Sequence, residues 1–529
     1  MQYDYIIIGA GSAGAIIASR LSEDPSKSVM LVESGPDYKG IDDLPEGLKY
    51  GYTSTKSNWN EEHNWQYRAK GAQNTPIAVP RGKVTGGSSA INGQIFLRGI
   101  PEDFDTWAEW GNDEWSYQQL LPYMNKIETD TTYQDDPGDF HGSEGPIICH
   151  RFPKEQWQQG SKAWVEACLA AGFPECEDAN APGTTGVGPI PLNNPNGIRW
   201  STALGHLSES RHRLNLTIRS NVTVKSILFD NINEKPTAIG IEAVSNNEDF
   251  SIFGEEIILC GGAIASPQLL MLSGIGPKDH LQQIGINSLI DLPGVGENLR
   301  DHPLTFMLWK TKPHYELRPF QPSLQTTLRY TAEGSNLHND MIVYFQGMAN
   351  RKMGLGPDGL PIGGYEIGNP VGIAAGLGLN LAKSKGSLKL ISNNYKDQPD
   401  LNYNMLDDPE DMRRYKDGVR MLANLTNHPS LQKLIDEPIY PTNVDLATDE
   451  ALENWLIQNV TTGHHVSCTA KMGPESDPMA VVDQYGKVRG ANNLRVGDAS
   501  IMPDCVRANI NVTVMSMAEK IADFIKADG

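Results

Sequence analysis

Two adjacent histidines, His464 and His465, stand in the stretch Thr461-Thr462-Gly463-His464-His465-Val466-Ser467-Cys468-Thr469-Ala470-Lys471-Met472-Gly473, out of only 12 in the chain. A neutral imidazole is the side chain best suited to take a proton near neutral pH. The pair alone also fits a polar loop or a weak metal site, but no carboxylate or cysteine cluster stands at ligand spacing beside it. Asn509 follows 44 positions after His465. An asparagine amide can donate to a substrate oxygen without titrating, and Asn is equally a favoured helix N-cap. At the other end of the chain, Gly9-Ala10-Gly11-Ser12-Ala13-Gly14 offers a turn able to hold a phosphate.

That turn needs a strand before it and a helix after it. Tyr5-Ile6-Ile7-Ile8 is an apolar, β-branched run that suits a strand buried on both faces. Ala15-Ile16-Ile17-Ala18-Ser19-Arg20-Leu21 has helical character, and Ser28 to Val32 reads as the next strand, ending at Glu33. Gly9 permits the tight turn, Gly11 lets backbone approach a pyrophosphate, and Gly14 lets helix pack on strand. Glu33 would accept from a ribose hydroxyl pair and would repel a 2′-phosphate, so NADP is disfavoured. The pattern predicts dinucleotide binding without separating FAD from NAD.

Further segments carry a family likeness. They are Pro80-Arg81-Gly82-Lys83-Val84-Thr85-Gly86-Gly87-Ser88-Ser89-Ala90-Ile91-Asn92-Gly93, then Gly262-Ala263-Ile264-Ala265-Ser266-Pro267 running on to Pro277. Pro293-Gly294-Val295-Gly296-Glu297-Asn298-Leu299-Arg300-Asp301-His302 and the histidine stretch follow. In this order, from residue 5 to about 525, they resemble the signatures of the glucose–methanol–choline (GMC) flavoprotein oxidoreductases. The likeness is weakest between about 310 and 380.

The resemblance implies FAD, and Ile91 implies that it is held non-covalently, because some members use a histidine there for a covalent link. It implies cofactor contacts at Gly9, Gly11, Ser12, Ala13, Gly14, Glu33, Arg81, Val84, Gly86, Gly87, Ser88, Asn92, Gly93, Asp498, Ala499, Asn509, Asn511 and Val512. Val224, in Val222-Thr223-Val224-Lys225, matches the valine whose backbone meets the adenine. The motif His-x-x-Gly-Thr-x-x-Met-Gly, counted back from Met472-Gly473, places the family's base at His465. Cys468 stands where glycine is typical, and no activating partner marks it as a nucleophile. Asn509 matches the second catalytic position. The implied reaction is oxidation of a primary alcohol, aromatic or aliphatic, to an aldehyde. His465 takes the hydroxyl proton and the hydride passes to flavin N5.

The expected fold is an α/β, Rossmann-like FAD-binding domain with a discontinuous α+β substrate-binding domain. Residues 1–155, 215–305 and 480–529 are assigned to the first, and 156–214 and 306–479 to the second. At 529 residues and 39% apolar without its 52 glycines, the chain can bury a large core. A net charge of −21 makes nucleic acid an unsuitable partner. Six scattered cysteines without a C-x-x-C pair suit the cytosol. The N-terminus shows no signal-peptide pattern. Ile257 to Pro277 carries no charge, yet its glycines, serines and proline suit a strand, a turn and a short helix better than a membrane span. Ser266 is read as that helix's N-cap, Pro267 as its first residue and Gly274 as its stop.

Elsewhere, Ser387 to Ser392 reads as a strand. Glu410 to Leu425 reads as an amphipathic helix with a solvated charged face. Asp37 to Trp65, with Tyr38, Tyr50, Tyr52, Trp59 and Trp65, suits a lid over the flavin. Met353 to Gly378, rich in glycine, reads as a mouth to the site or a surface loop. No metal is expected. The electron acceptor is oxygen or a quinone, and a homo-oligomer is compatible with the sequence. The alternative activity is a non-redox FAD-containing member, such as a cyanohydrin lyase or photodecarboxylase.

Overall fold

The computed structural model describes residues 2–51, 62–232, 235–317, 322–349 and 370–528. One sheet runs Leu216–Arg219, Val29–Val32, Gln2–Ile8, Glu248–Leu259, Lys235–Ser245, Thr223–Ile232, with Leu494–Val496 beside Glu248–Leu259 as its seventh strand. The four pairings around Gln2–Ile8 and Leu494–Val496 are parallel. Ile8 lies opposite Val32 and Leu259, and Leu259 opposite Val496. The parallel strands therefore end level, and Gly9, Glu33, Cys260 and Gly497 leave them at one edge. That is where open α/β sheets bind ligands. Helix Ser12–Leu21 rises from the same edge and packs against the final helix, Asn511–Asp528.

The second large sheet is antiparallel. Its order is Ile435–Tyr440, Pro303–Thr311, Gly372–Leu379, Met341–Ala349, Leu324–Tyr330, Gly186–Pro189, with Thr461–Thr462 pairing at Pro303 and Leu304. Tyr344 lies opposite Gly376, and Gly376 opposite Phe306. A smaller four-stranded sheet joins Tyr67–Lys70 and Pro76–Val79 to Ser387–Lys389 and Asp400–Asn402. Segments over three hundred residues apart are thereby stitched together.

Several expectations change. The helix after the glycine turn starts at Gly262, not at Pro267, and runs to Leu272. Ser266 is thus inside it: its hydroxyl accepts from Gly261 N–H (3.0 Å) and donates to Asp498 (2.6 Å). Interior Pro267 has no N–H for the Ala263 carbonyl one turn back. The Thr469 hydroxyl donates to that carbonyl instead, at 2.7 Å. Gly274 does follow the helix with φ +86°. The strand at Ser387 stops at Lys389.

The glycine-rich reading of Met353 to Gly378 fails at its end. Gly372–Leu379 is a fully buried strand whose small residues leave room for Phe306 and Ile342 to lie across it. Gly354, Gly356, Gly359, Gly363 and Gly364 lie outside the described residues. Helix Pro409–Leu425 buries Met412, Tyr415, Val419 and Leu422, but its charged residues are not all solvated. Arg414 and Asp411 are buried, and Arg414 pairs with Asp411 (2.7 Å) and Asp340 (2.8 Å). All six cysteines are free and buried. Among the described residues, no helix is long and apolar enough to cross a membrane.

Candidate active site

A cavity of about 360 Å³ runs along the carboxyl edge of the parallel sheet and on to the face of the antiparallel one. Its first part is made of backbone. At Gly87 (φ +52°), an added Cβ would lie 2.6 Å from the Cα of Gly11, so the two glycine turns touch only because Gly87 lacks a side chain. The Ser12 hydroxyl donates to Asn511 Oδ1 at 2.7 Å, tying the first helix to the last. Glu33, on the cavity wall, accepts from Gly35 N–H (2.8 Å) and Ala10 N–H (3.0 Å), one on each oxygen. Each oxygen keeps a second acceptor position. Burial pushes the Glu33 carboxyl up to about 7 against those two donors.

Asp498 also lines the cavity, yet its carboxylate is committed to the protein. One oxygen takes Gly262 N–H (2.8 Å) and the Ser266 hydroxyl. The other takes the N–H (2.9 Å) and hydroxyl (2.6 Å) of Ser500. Asp498 thus fixes the start of helix Gly262–Leu272 against the 499–501 turn.

The second part of the cavity is made of side chains. His465 Nε2 lies 3.0 Å from the amide nitrogen of Asn509, and the Tyr344 hydroxyl donates to Asn509 Oδ1 at 3.0 Å. Asp301 holds the backbone behind them: its Oδ1 accepts from His302 N–H (2.7 Å) and His465 N–H (2.9 Å), and its Oδ2 from the Thr462 hydroxyl. Burial pushes Asp301 up to about 6, against Thr462 and Arg81. Burial first, then His302, His464 and Arg81, holds the His465 imidazole well below its ordinary range. Burial drives His302 down to about 4, against a hydrogen bond with the Val506 backbone. Both rings are therefore neutral at pH 7. Leu304, Phe306, Leu324, Ile342 and Gln346 complete the wall.

Of the residues expected at the cofactor, Gly9, Gly11, Ser12, Ala13, Glu33, Arg81, Gly87, Ser88, Asn92, Gly93, Val224, Asp498, Ala499, Asn509 and Asn511 line this cavity. Gly14, Val84, Gly86 and Val512 do not. Gly14 sits under the Gly9 carbonyl, and Val84 packs with Leu48, Ala90 and Ile91. Gly86 N–H is used by the Ala10 carbonyl at 2.7 Å, and Val512 is buried in the last helix. Trp65 lines the cavity, whereas residues 52–61 of the expected lid lie outside the described ones. Sequence reasoning gave no role to Asp301, His302, Tyr344 or Cys505. The first two stand in a family block and could have been singled out. Nothing near Tyr344 or Cys505 sets them apart.

A separate cluster brings Glu128, Asp130 and His141 within reach of one another. Arg98 pairs with Glu128 (2.7 Å), and Arg151 with Asp130 and Asp178 (2.6 Å each). Burial would lower His141, but hydrogen bonds to Asp178 and Glu128 raise it to about 9. Three cations thus already answer three carboxylates there.

The long cavity fits FAD. Glu33 keeps acceptor positions for a sugar diol, and buried Arg81 Nε and Nη2 on the wall have no hydrogen-bond partner among the described residues, so an acceptor-rich ligand would satisfy them. Fold and site together define a flavoprotein oxidoreductase. Residues 3–304 match the N-terminal GMC oxidoreductase model and residues 382–518 the C-terminal one. Similar proteins include the oxygen-dependent choline dehydrogenases of Vibrio vulnificus (strain YJ016), 35% identical over 99% of this chain and 94% of the relative, and of Pectobacterium carotovorum subsp. carotovorum (strain PC1), 36% identical over 99% and 95%. Pyridoxine 4-oxidase from Mesorbium loti superposes with a TM-score of 0.87 at 27% identity, covering 99% of both chains. A fungal aryl-alcohol oxidase (TM-score 0.83, 22% identity, covering 100% of this chain and 99% of the other) shares the fold. The chain belongs to the GMC oxidoreductase family. It is an FAD-dependent oxidoreductase acting on CH–OH donors.

Proposed function

We propose that the protein oxidises a neutral primary alcohol, aromatic or aliphatic, to its aldehyde, with His465 as base and Asn509 positioning the alcohol oxygen. The observation that carries this is the 3.0 Å approach of His465 Nε2 to the Asn509 amide on the cavity wall. An alcohol oxygen seated beside both atoms, in place of the amide's own hydrogen bond to Nε2, donates its proton to Nε2 and accepts from the amide N–H. Loss of that proton drives electrons toward the C–H bond. FAD, when bound, supplies the acceptor for the hydride. Leu304, Phe306, Leu324 and Ile342 offer an apolar wall, which supports an uncharged side group on the substrate. Choline, named in the relatives, is the competitor to test against.

Ile91 lines the cavity and supplies no nucleophile, which supports non-covalent FAD at the contacts named above. Six free thiols support a reducing, cytoplasmic setting. Oxygen or a quinone takes the electrons onward, and a homo-oligomer is compatible with the chain. The division into 1–155, 215–305 and 480–529 against 156–214 and 306–479 is supported by the two large sheets, which part near Pro303.

The test is anaerobic bleaching of the FAD-loaded protein by a panel of benzyl, furfuryl and aliphatic alcohols and choline. Wild type should bleach, fastest with an uncharged alcohol. His465→Ala should stay yellow and bleach about 10²–10⁴-fold more slowly. Unchanged bleaching in that variant would remove His465 from the reaction, and repeating the screen with oxygen or a quinone identifies the acceptor.

A further inference from the structure

His465 turns its second ring nitrogen away from the cavity. Nδ1 of His465 lies 2.9 Å from Nδ1 of His302, and Nε2 of His302 lies 3.2 Å from Cys505 Sγ. Of two imidazole nitrogens facing each other, one must carry a proton and the other must accept it. The neighbours decide which. The Tyr344 hydroxyl donates to Asn509 Oδ1, and this turns the amide nitrogen toward His465 Nε2. An amide nitrogen only donates, so Nε2 holds the lone pair and Nδ1 the proton. His302 then accepts at Nδ1, and its own N–H is at Nε2, facing the Cys505 sulfur. The Cys505 thiol is directed toward the His465 carbonyl, 4.0 Å away. Reversing this chain would put a proton on His465 Nε2 and leave no lone pair for an alcohol.

We infer that His302 is a positioning residue for proton transfer: it accepts His465 Nδ1–H, keeps the lone pair on the cavity-facing Nε2, and shares the positive charge once the alcohol proton arrives. The inference rests on the reading of His465 as base. In the step, the alcohol O–H bond breaks and its proton joins His465 Nε2. The C–H electron pair would leave as hydride to FAD, when bound, as the C–O bond becomes a carbonyl. His465 then carries two N–H bonds, and the one at Nδ1 points into His302. The pair is held in register from below, because Asp301 accepts the backbone N–H of both residues. It is otherwise faced by Arg81, His464 and, beside Cys505, Asp504. A neutral ring is the suitable acceptor here. His302 is buried without a carboxylate on its side chain, so it carries no charge of its own to discharge into the site.

The experiment is rapid-mix reduction of the FAD-loaded enzyme, without oxygen, by whichever panel alcohol reduces wild type fastest. Three variants are compared: His302→Leu, His302→Asn and His465→Ala. His302→Leu removes the acceptor and should lower the limiting rate constant about 30-fold, with the apparent alcohol Kd within about twofold and FAD content unchanged. His302→Asn can set an amide oxygen near the position of Nδ1 and should recover to within about fivefold of wild type. A wild-type rate in His302→Leu overturns the inference, and so do equal losses in Leu and Asn, which mean packing alone. Should His302→Leu fail to hold FAD, nitrogen-15 spectra of histidine-labelled wild type decide: a bare Nε2 on His465 supports the inference, and a protonated Nε2 overturns it. The His465→Ala arm separates the two readings. If it is inactive while His302→Leu is normal, only the role of His302 falls; if it reduces FAD normally, the base itself is misassigned.

Discussion

The two parts of the cavity solve the same problem, placing ionisable groups out of water, in opposite ways. Along the parallel sheet the buried groups are carboxylates, and burial pushes both Glu33 and Asp498 upward. Each is answered by N–H groups of neighbouring turns: Ala10 and Gly35 for Glu33, Gly262 and Ser500 for Asp498. At the antiparallel sheet the ionisable groups on the cavity wall are imidazoles, burial pushes them downward, and each is answered by another side chain. Around Glu33 the first arrangement is local, with Ala10 23 positions away, although Gly262 reaches Asp498 across 236 positions; the second is assembled from segments at 301–302, 344, 465 and 505–509. A phosphate-and-sugar ligand needs only backbone donors and a fixed acceptor. A base must have one particular nitrogen bare, and here further side chains impose that.

The sharpest way to break the first part is geometric. At Gly14 a Cβ would lie 1.9 Å from the Gly9 carbonyl oxygen, so Gly14→Val forces the first helix off its strand. A loss above about 4 kcal/mol is expected, as for other severe core clashes, and with it the FAD. The flavin-to-protein absorbance ratio and the melting temperature read this directly. Recovery of a yellow protein with wild-type stability would mean that the helix contact is not needed. At the other sheet, Gly376→Ala meets the Phe306 ring edge at 3.0 Å and Leu304 at an ordinary 3.6 Å, and a ring can turn aside.

The next effect is electrostatic. Glu33 is raised to about 7 from an ordinary 4.5, so the folded chain binds a proton that the unfolded chain has lost in between. The stability this gives is fully present below pH 4.5 and is lost as pH rises through 7, about 3 kcal/mol in all. Asp301, raised to about 6, has the same sign, and His141, raised to about 9, extends the fall above pH 6.5. Asp178 and Glu519, lowered to about 2, act only in acid. His302 and His465, both lowered, oppose that fall below pH 6.5, so FAD-stripped wild type should melt at falling temperature only from about pH 6.5 to 8, while Glu33→Gln should remove the Glu33 share of the slope between pH 5 and 7. An identical slope in the variant would mean that the carboxyl is not raised.

The same contrast explains what the sequence reveals. The strand Tyr5–Ile8, the glycine turn, the helix behind it and Glu33 lie within thirty residues, and each has its own local signal. Ser266 and Pro267 misled because their usual helix-start meaning yields to tertiary partners, Asp498 for one and Thr469 for the other. Gly372–Leu379 looked like loop because glycine is read as a breaker, whereas burial against Phe306 and Ile342 decides it. Tyr344 carries no local mark, since its importance comes wholly from an amide 165 positions away.

Tyr344→Phe tests whether side chains alone set the second part. It removes the donor to Asn509 Oδ1 and frees the amide to turn. The limiting rate of flavin reduction should fall about 5- to 10-fold, near 1 kcal/mol, the usual worth of one such hydrogen bond. FAD content should not change, because the phenol touches nothing in the dinucleotide part. A loss of FAD equal to the loss of rate would show that the two parts are not separable in this way.

The smallest effect lies at Cys468, where the sequence departs from its family. Its backbone has φ +71°, the region that favours glycine, and its side chain is fully buried, with Sγ 3.3 Å from the Ser467 hydroxyl. Restoring glycine relieves about 1–2 kcal/mol of backbone strain. Against that stand about 0.5–1 kcal/mol of added unfolded-state freedom and a small void beside Ser467, worth about 1 kcal/mol. These terms nearly cancel, so Cys468→Gly should move the melting temperature by only a few degrees in either direction. The rate should hold within about twofold, because burial raises the thiol well above its ordinary range and keeps it out of the chemistry. A larger change in rate than in stability would mean that the sulfur bears on the histidine pair through its neighbour Cys505. The division between a backbone-made and a side-chain-made site would then need a third contributor, the strained turn at Ser467-Cys468 itself.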